Sequence, residues 1–141
     1  MAQVKKTEVW SAPIQKIYDV LTDYQSYADF VTGVDEIEVL SKTPTSARVK
    51  YSLNIIKKVS YILSMTQKAP NSIEWVLESG DLFKQNDGSW SLKDLGNGET
   101  EVTYGLEVNI KGFVPKSIVS ALTTKNLPAM MKAFQDRVHQ K

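Results

Sequence analysis

The chain contains no cysteine and a single histidine. Without thiols there is no disulfide, no thiolate nucleophile and no zinc site that uses sulfur. The one imidazole, His139, sits at the C-terminal end of the sequence, where chains fray, and reads as a solvated side chain. Metal ligation would then fall to carboxylates alone, so neither zinc nor any other metal or organic cofactor is expected. Charge of one sign is missing too. Seventeen Lys and Arg against sixteen Asp and Glu leave a net charge of +1, with no basic block. Such a surface has no field to steer nucleic acid, which is therefore not an expected partner. No apolar run approaches the ~20 residues that span a bilayer. The opening Met1-Ala-Gln-Val-Lys-Lys-Thr-Glu lacks the apolar core of a signal peptide, so the expectation is a soluble, cytoplasmic protein. Gly-rich phosphate loops, P-loops and G-x-S-x-G elbows are absent.

What is present is ordinary globular material. The 141 residues are 42% hydrophobic and 23% charged, enough for one domain over residues 1–141 with a sizeable core. Val4 to Trp10 reads as a first strand. Pro13 then opens a helix to Thr22, with Ile14, Ile17, Tyr18 and Leu21 at helical spacing. Asp23 is placed to cap a second short helix through Phe30, carrying Tyr24, Tyr27 and Phe30 and ended by Gly33.

From Val34 to Ile110 the period is two, with one wet face and one apolar face, as in an antiparallel meander. Val76 is the apolar residue out of step. Turns fall at Pro44-Thr45, Ala69-Pro70-Asn71, Ser79-Gly80-Asp81 and Gly96-Asn97-Gly98. Asn86-Asp87-Gly88 is open to two readings, a hairpin or a bulge within one long strand. After Pro115 a helix returns, with Ile118, Leu122, Met130, Phe134 and Val138 on its apolar stripe and a kink expected at Pro128, near Lys125 to Leu127. The order is strand, two short helices, six strands, long helix. This is an α+β fold in which a curved seven-stranded antiparallel sheet wraps around the C-terminal helix.

The apolar sheet face is heavy with large residues: Tyr51, Tyr61, Met65, Trp75, Phe83, Trp90 and Tyr104. Each could simply fill the core. Three features favour an enclosed pocket: phenol and indole groups that need partners, the adaptable pair Met130-Met131 on the facing helix, and the Pro128 kink. The expected lining is Tyr51 and Leu53, Tyr61 and Leu63, Trp75 and Leu77, then Trp90. Tyr104 and Leu106 complete the sheet side, and Leu122, Met130 and Phe134 cover it from the helix. Catalytic residues are not expected. Glu36, Glu38, Glu74 and Glu78 fall on the wet face, Asp35 pairs with Glu36, and Asp29 and Arg48 matter only if they turn inward. The tyrosines are poor bases and reasonable hydrogen-bond donors.

Strand parity places the turn at Ile55-Ile56, the turn at Ser79 to Leu82 and the loop at Phe113-Val114 on one rim. Four apolar residues there, Ile55, Ile56, Phe113 and Val114, are ringed by Lys57, Lys58, Lys111 and Lys116. They either close the fold or form a pocket mouth that touches membranes transiently, each lysine adding ~1 kcal/mol at an anionic surface.

Several ordered stretches resemble the polyketide cyclase and coenzyme Q-binding branch of the START / birch-pollen-allergen superfamily. They are Ala12-Pro13-Ile14 with Ile17 through Tyr24, Tyr51 through Lys58, Gly88-Ser89-Trp90 with Leu92, Thr103-Tyr104 with Leu106-Glu107-Val108, and Leu127-Pro128 with Met131 and Phe134. The resemblance implies a helix-grip fold with seven strands, and hence a bulge at Asn86-Asp87-Gly88. It also implies a cavity for a lipid, isoprenoid quinone or similar apolar molecule as partner. The expected function is binding or transfer of that molecule. The alternatives are a polyketide aromatase/cyclase and a ribosome-associated regulator, the latter disfavoured by the neutral charge. The residues say nothing of oligomeric state.

Overall fold

The computed structural model describes residues 2–31, 34–54, 58–80, 82–112 and 127–140. Strand β1 (Ala2–Trp10) leads into α1 (Ile14–Leu21), a 3-10 turn (Tyr24–Ser26) and α2 (Tyr27–Phe30). Six strands follow: β2 (Val34–Lys42), β3 (Ser46–Asn54), β4 (Lys58–Lys68), β5 (Ser72–Gly80), β6 (Phe83–Gly96) and β7 (Glu99–Ile110). The last described helix, α3, is Leu127–Gln140. The seven strands form one antiparallel sheet in the order β1-β7-β6-β5-β4-β3-β2. The α1–α2 segment therefore carries the chain from one sheet edge to the other. Hairpins then walk it back until β7 lies beside β1, and α1 and α2 both contact α3.

Local chemistry explains the elements. Pro13 has extended backbone and stands just before α1, one position earlier than the sequence implies, with Thr22 closing the helix. Asp23 caps no backbone N–H with its side chain; its carboxylate instead accepts from the Ser26 hydroxyl at 2.7 Å. The β6–β7 turn has Asn97 and Gly98 at φ 56° and 76°, the two positive values that a tight two-residue hairpin demands.

Asn86-Asp87-Gly88 is not a hairpin, because β6 runs unbroken through it. Nor is it a bulge against β7, whose register is continuous from Asn86↔Val108 to Gly88↔Leu106. The shifts lie instead at Phe83/Gln85 and Asp94/Gly96, while the ladder to β5 stops at Trp75↔Gly88. Val76 proves to be an apolar residue on the wet face, half exposed.

On α3 the buried stripe is Leu127, Met131, Phe134 and Val138. Met131 is fully buried and Met130 only partly, a correction of one helical position. Pro128 lies in the first turn of α3, where a missing N–H is tolerated. The expected kink, Ile118, Leu122 and Gly33 lie outside the described residues. No described helix is long and apolar enough to cross a membrane.

Candidate functional site

Alternation along the strands turns Tyr51 and Leu53 of β3, Tyr61 and Leu63 of β4, Trp75 of β5, Trp90 of β6 and Tyr104 of β7 into the interior, all buried. Register brings them side by side: Tyr51 faces Tyr61, Leu63 faces Leu77, and Trp90 faces Tyr104. Phe134 of α3 covers them, and Leu77, Leu106 and Met130 pack against the group half-buried.

The aromatic rings form one continuous belt. Phe83 meets Tyr61 edge-on at 5.0 Å, Tyr61 stacks on Tyr51 at 5.3 Å, and Tyr51 approaches Tyr27 at 6.3 Å. Tyr27 meets Phe134 at 5.1 Å, Phe134 meets Trp90 at 5.3 Å, and Trp90 continues to Tyr104 at 4.7 Å and thence to Trp75 at 5.9 Å.

The two ends of this interior differ. At the end holding Trp10, the β2–β3 turn and Thr100, packing is complete: Val49, Val102 and Thr100 have 0% exposure. Polar stitches close that end. Tyr24 donates to Gln67 Oε1 at 2.7 Å, and Gln67 Nε2 donates to the Thr43 and Pro44 carbonyls. Thr100 Oγ1 donates to the Ala12 carbonyl at 2.8 Å. Toward the opposite end Tyr51, Leu53, Tyr61, Trp75 and Tyr104 keep 7–9% exposure, and Val59, Leu77, Leu106 and Ile110 are only half-buried. Among the described residues, the hydroxyls of Tyr51, Tyr61 and Tyr104 have no hydrogen-bond partner. Burial pushes all three phenols well above their ordinary range, so they stay protonated donors.

The sequence profile of the family described as polyketide cyclase / dehydrase and lipid transport matches residues 10–135. The chain belongs to this family. Among solved structures, a START superfamily protein from Mycobacterium smegmatis is 24% identical with a TM-score of 0.83, over 98% of this chain and 97% of its own. The Zhui aromatase/cyclase from Streptomyces sp. R1128 is 15% identical with a TM-score of 0.86, over 99% and 94%. A STAR-related lipid transfer protein from Xanthomonas axonopodis is 18% identical with a TM-score of 0.77, over 97% and 85%. The shared feature is the helix-grip fold, a seven-stranded antiparallel sheet with a C-terminal helix and short helices after the first strand. No curated protein sequence matches the chain significantly.

Within this polyketide cyclase and lipid transport fold, the polar candidates from the sequence point outward. Arg48 lies on the wet face and grips Glu78 with two hydrogen bonds, Nε to Oε1 at 2.8 Å and Nη2 to Oε2 at 2.5 Å. That pairing raises the guanidinium pKa and lowers that of the carboxyl. Glu78 is the extra residue of a bulge where Ile62↔Ser79 gives way to Leu63↔Leu77, which swings it toward β3. Asp29 is exposed on α2. An open concavity runs along α1 at Lys16, Asp19, Val20 and Asp23, none of which is an expected lining residue. The expected mouth residues Ile55, Ile56, Phe113 and Val114 lie outside the described residues. Of the strands leading to them, β3 and β4 pair to their ends at Asn54↔Lys58, β6 and β7 at Phe83↔Ile110, and Lys111 N donates to the Leu82 carbonyl at 2.9 Å.

Of the inward polar residues that the sequence pattern did not single out, one lies beside the aromatic belt. Asn86 is buried on β6 and accepts a hydrogen bond from Trp75 Nε1 at 3.3 Å. Counting back by twos from Trp90 would have found it; its place in an Asn-Asp-Gly triplet hid it.

Proposed function

We propose that this chain binds a hydrophobic small molecule, a lipid or isoprenoid quinone, between the inner sheet face and the C-terminal helix. The gradient of burial carries the reading. One end is closed and stitched, while the other keeps large aromatic and aliphatic side chains incompletely covered around phenol donors that have no partner among the described residues. An apolar site with a few convergent polar groups is the usual make-up of a small-molecule pocket. Membership of a family described by polyketide cyclisation and lipid transport supports the same reading. The pocket would be lined by the residues expected from the sequence, Leu122 included, with Met131 in place of Met130, and entered between Ile55, Ile56, Phe113 and Val114. Such a mouth would touch membranes transiently, and the protein would work in the cytoplasm.

Binding is favoured over cyclisation by the interior chemistry. Among the described residues the ionisable groups turned inward are tyrosines, and burial makes them still weaker acids. The test is native mass spectrometry of the purified protein, before and after incubation with long-chain fatty acids and isoprenoid quinones. A bound apolar mass, lost on organic extraction and regained on incubation, is the expected result. A bare mass throughout would refute the reading.

A further inference from the structure

Trp75 and Asn86 form the one side-chain pair among the described residues that hydrogen-bonds within the aromatic belt. Its geometry has a consequence. Indole N–H can only donate, so the amide atom it meets must be the Asn86 oxygen. The flip of the amide is thereby fixed, and the Asn86 NH2 is turned away from Trp75. Among the described residues that nitrogen donates to nothing, although Asn86 is only 6% exposed.

The backbone is built around this pair. Gly88 lies between Asn86 and Trp90 on the inner face of β6, and the space its side chain would fill is taken by the Trp75 ring. A Cβ at Gly88 would come within 2.6 Å of Trp75 Cε2 and of the Gly105 carbonyl oxygen. The missing side chain lets the indole lie across β6 and reach Asn86. The same indole touches the ring of Tyr104 at 5.9 Å, whose hydroxyl is also a donor without a described partner. Among the described residues the donors without an acceptor at this place are the Asn86 NH2 and the Tyr104 O–H, in a wall that is otherwise apolar.

Resting on the hydrophobic-ligand reading, we propose that Asn86, oriented by Trp75, anchors the ligand and selects molecules carrying a carbonyl-type acceptor oxygen over hydrocarbons of the same shape. Menadione and its parent hydrocarbon methylnaphthalene share a ring skeleton and differ in two carbonyl groups. Calorimetric titration of the wild-type protein should show both binding, menadione about ten-fold tighter, the worth of one good hydrogen bond. Asn86→Leu should bind the hydrocarbon as before and lose the preference. In the labelled wild-type protein, the Asn86 side-chain amide resonances should shift with menadione and stay put with methylnaphthalene, a readout that stands even if the variant fails to fold. Equal wild-type affinities, a preference surviving in Asn86→Leu, or an amide unmoved by bound menadione would each overturn the anchor while leaving the pocket standing. Failure of both probes to bind would overturn the pocket itself.

Discussion

Tyr18 and Tyr24 both bury their hydroxyls, in opposite circumstances. Tyr24 donates to Gln67 at 2.7 Å, and Gln67 passes the connection to the β2–β3 turn, so every member of that buried chain is satisfied. The Tyr18 hydroxyl is buried without a partner among the described residues. A buried polar atom that loses its partner costs about 1–3 kcal/mol, whereas deleting one that never had a partner removes a penalty. Tyr24→Phe should therefore destabilise the fold by about that much, because it strands the Gln67 oxygen. Tyr18→Phe should be neutral or stabilise by about 1 kcal/mol. Urea denaturation of the two variants checks the pair. A Tyr18→Phe protein that loses as much stability as Tyr24→Phe would show that the Tyr18 hydroxyl has a role the fold conceals.

At the level of elements, β6 shows why a strand can hide behind turn-forming residues. It pairs with β7 along its length and, from Gly88 to Ser91, also with β5; among the described residues the stretch before Gly88 has β7 alone beside it. Gly88 is present because an indole needs its space, not because the chain reverses there. Gly88→Ala would press a methyl into the Gly105 carbonyl, which the ladder holds in place. Overpacking of this kind costs about 1–3 kcal/mol. The variant should unfold at lower denaturant and show a changed near-ultraviolet dichroism from a displaced Trp75; an unchanged midpoint would mean the strand relaxes freely. The alternation in β3, β4, β5 and β7 could be read directly, because the central inward positions there (Val49, Tyr51 and Leu53; Tyr61, Leu63 and Met65; Ile73, Trp75 and Leu77; Val102, Tyr104 and Leu106) are filled by large apolar residues, mostly beside polar neighbours. Local residue codes misled where they compete with tertiary demand, at Asn86-Asp87-Gly88. They were also silent on helix phase: Met130 and Met131 are adjacent, and only Leu127, Phe134 and Val138 decide that Met131 faces inward. The outward turn of Arg48 follows from strand parity, yet its partner Glu78 depends on a bulge that no residue pattern announces.

For the whole molecule, the tyrosines are a shared reporter of the fold. The chain has six, and all six have pKa values raised above the ordinary phenol value, with burial as the leading cause in each case. They are spread over α1, the 3-10 turn, α2, β3, β4 and β7, so they sample both the closed end and the incompletely covered end of the interior. In the unfolded chain each phenol releases its proton near pH ~10. In the folded chain each holds its proton to higher pH. Above about pH 10 the unfolded state therefore binds fewer protons than the native state, and stability must fall as pH rises. Below that value both states are protonated and this contribution is fully present. Each phenol takes away up to roughly 1.4 kcal/mol per pH unit through the window between its unfolded and folded values. Several doing so together should give steep, cooperative alkaline unfolding. Phenolate absorbance should accordingly rise in the same step in which far-ultraviolet dichroism is lost, starting above pH ~10. A bound apolar ligand that covers Tyr51, Tyr61 and Tyr104 should move that step to higher pH, since it stabilises only the folded form. Two or more tyrosines ionising reversibly near pH ~10 in a protein that keeps its dichroism would show that water reaches these phenols freely in the folded chain.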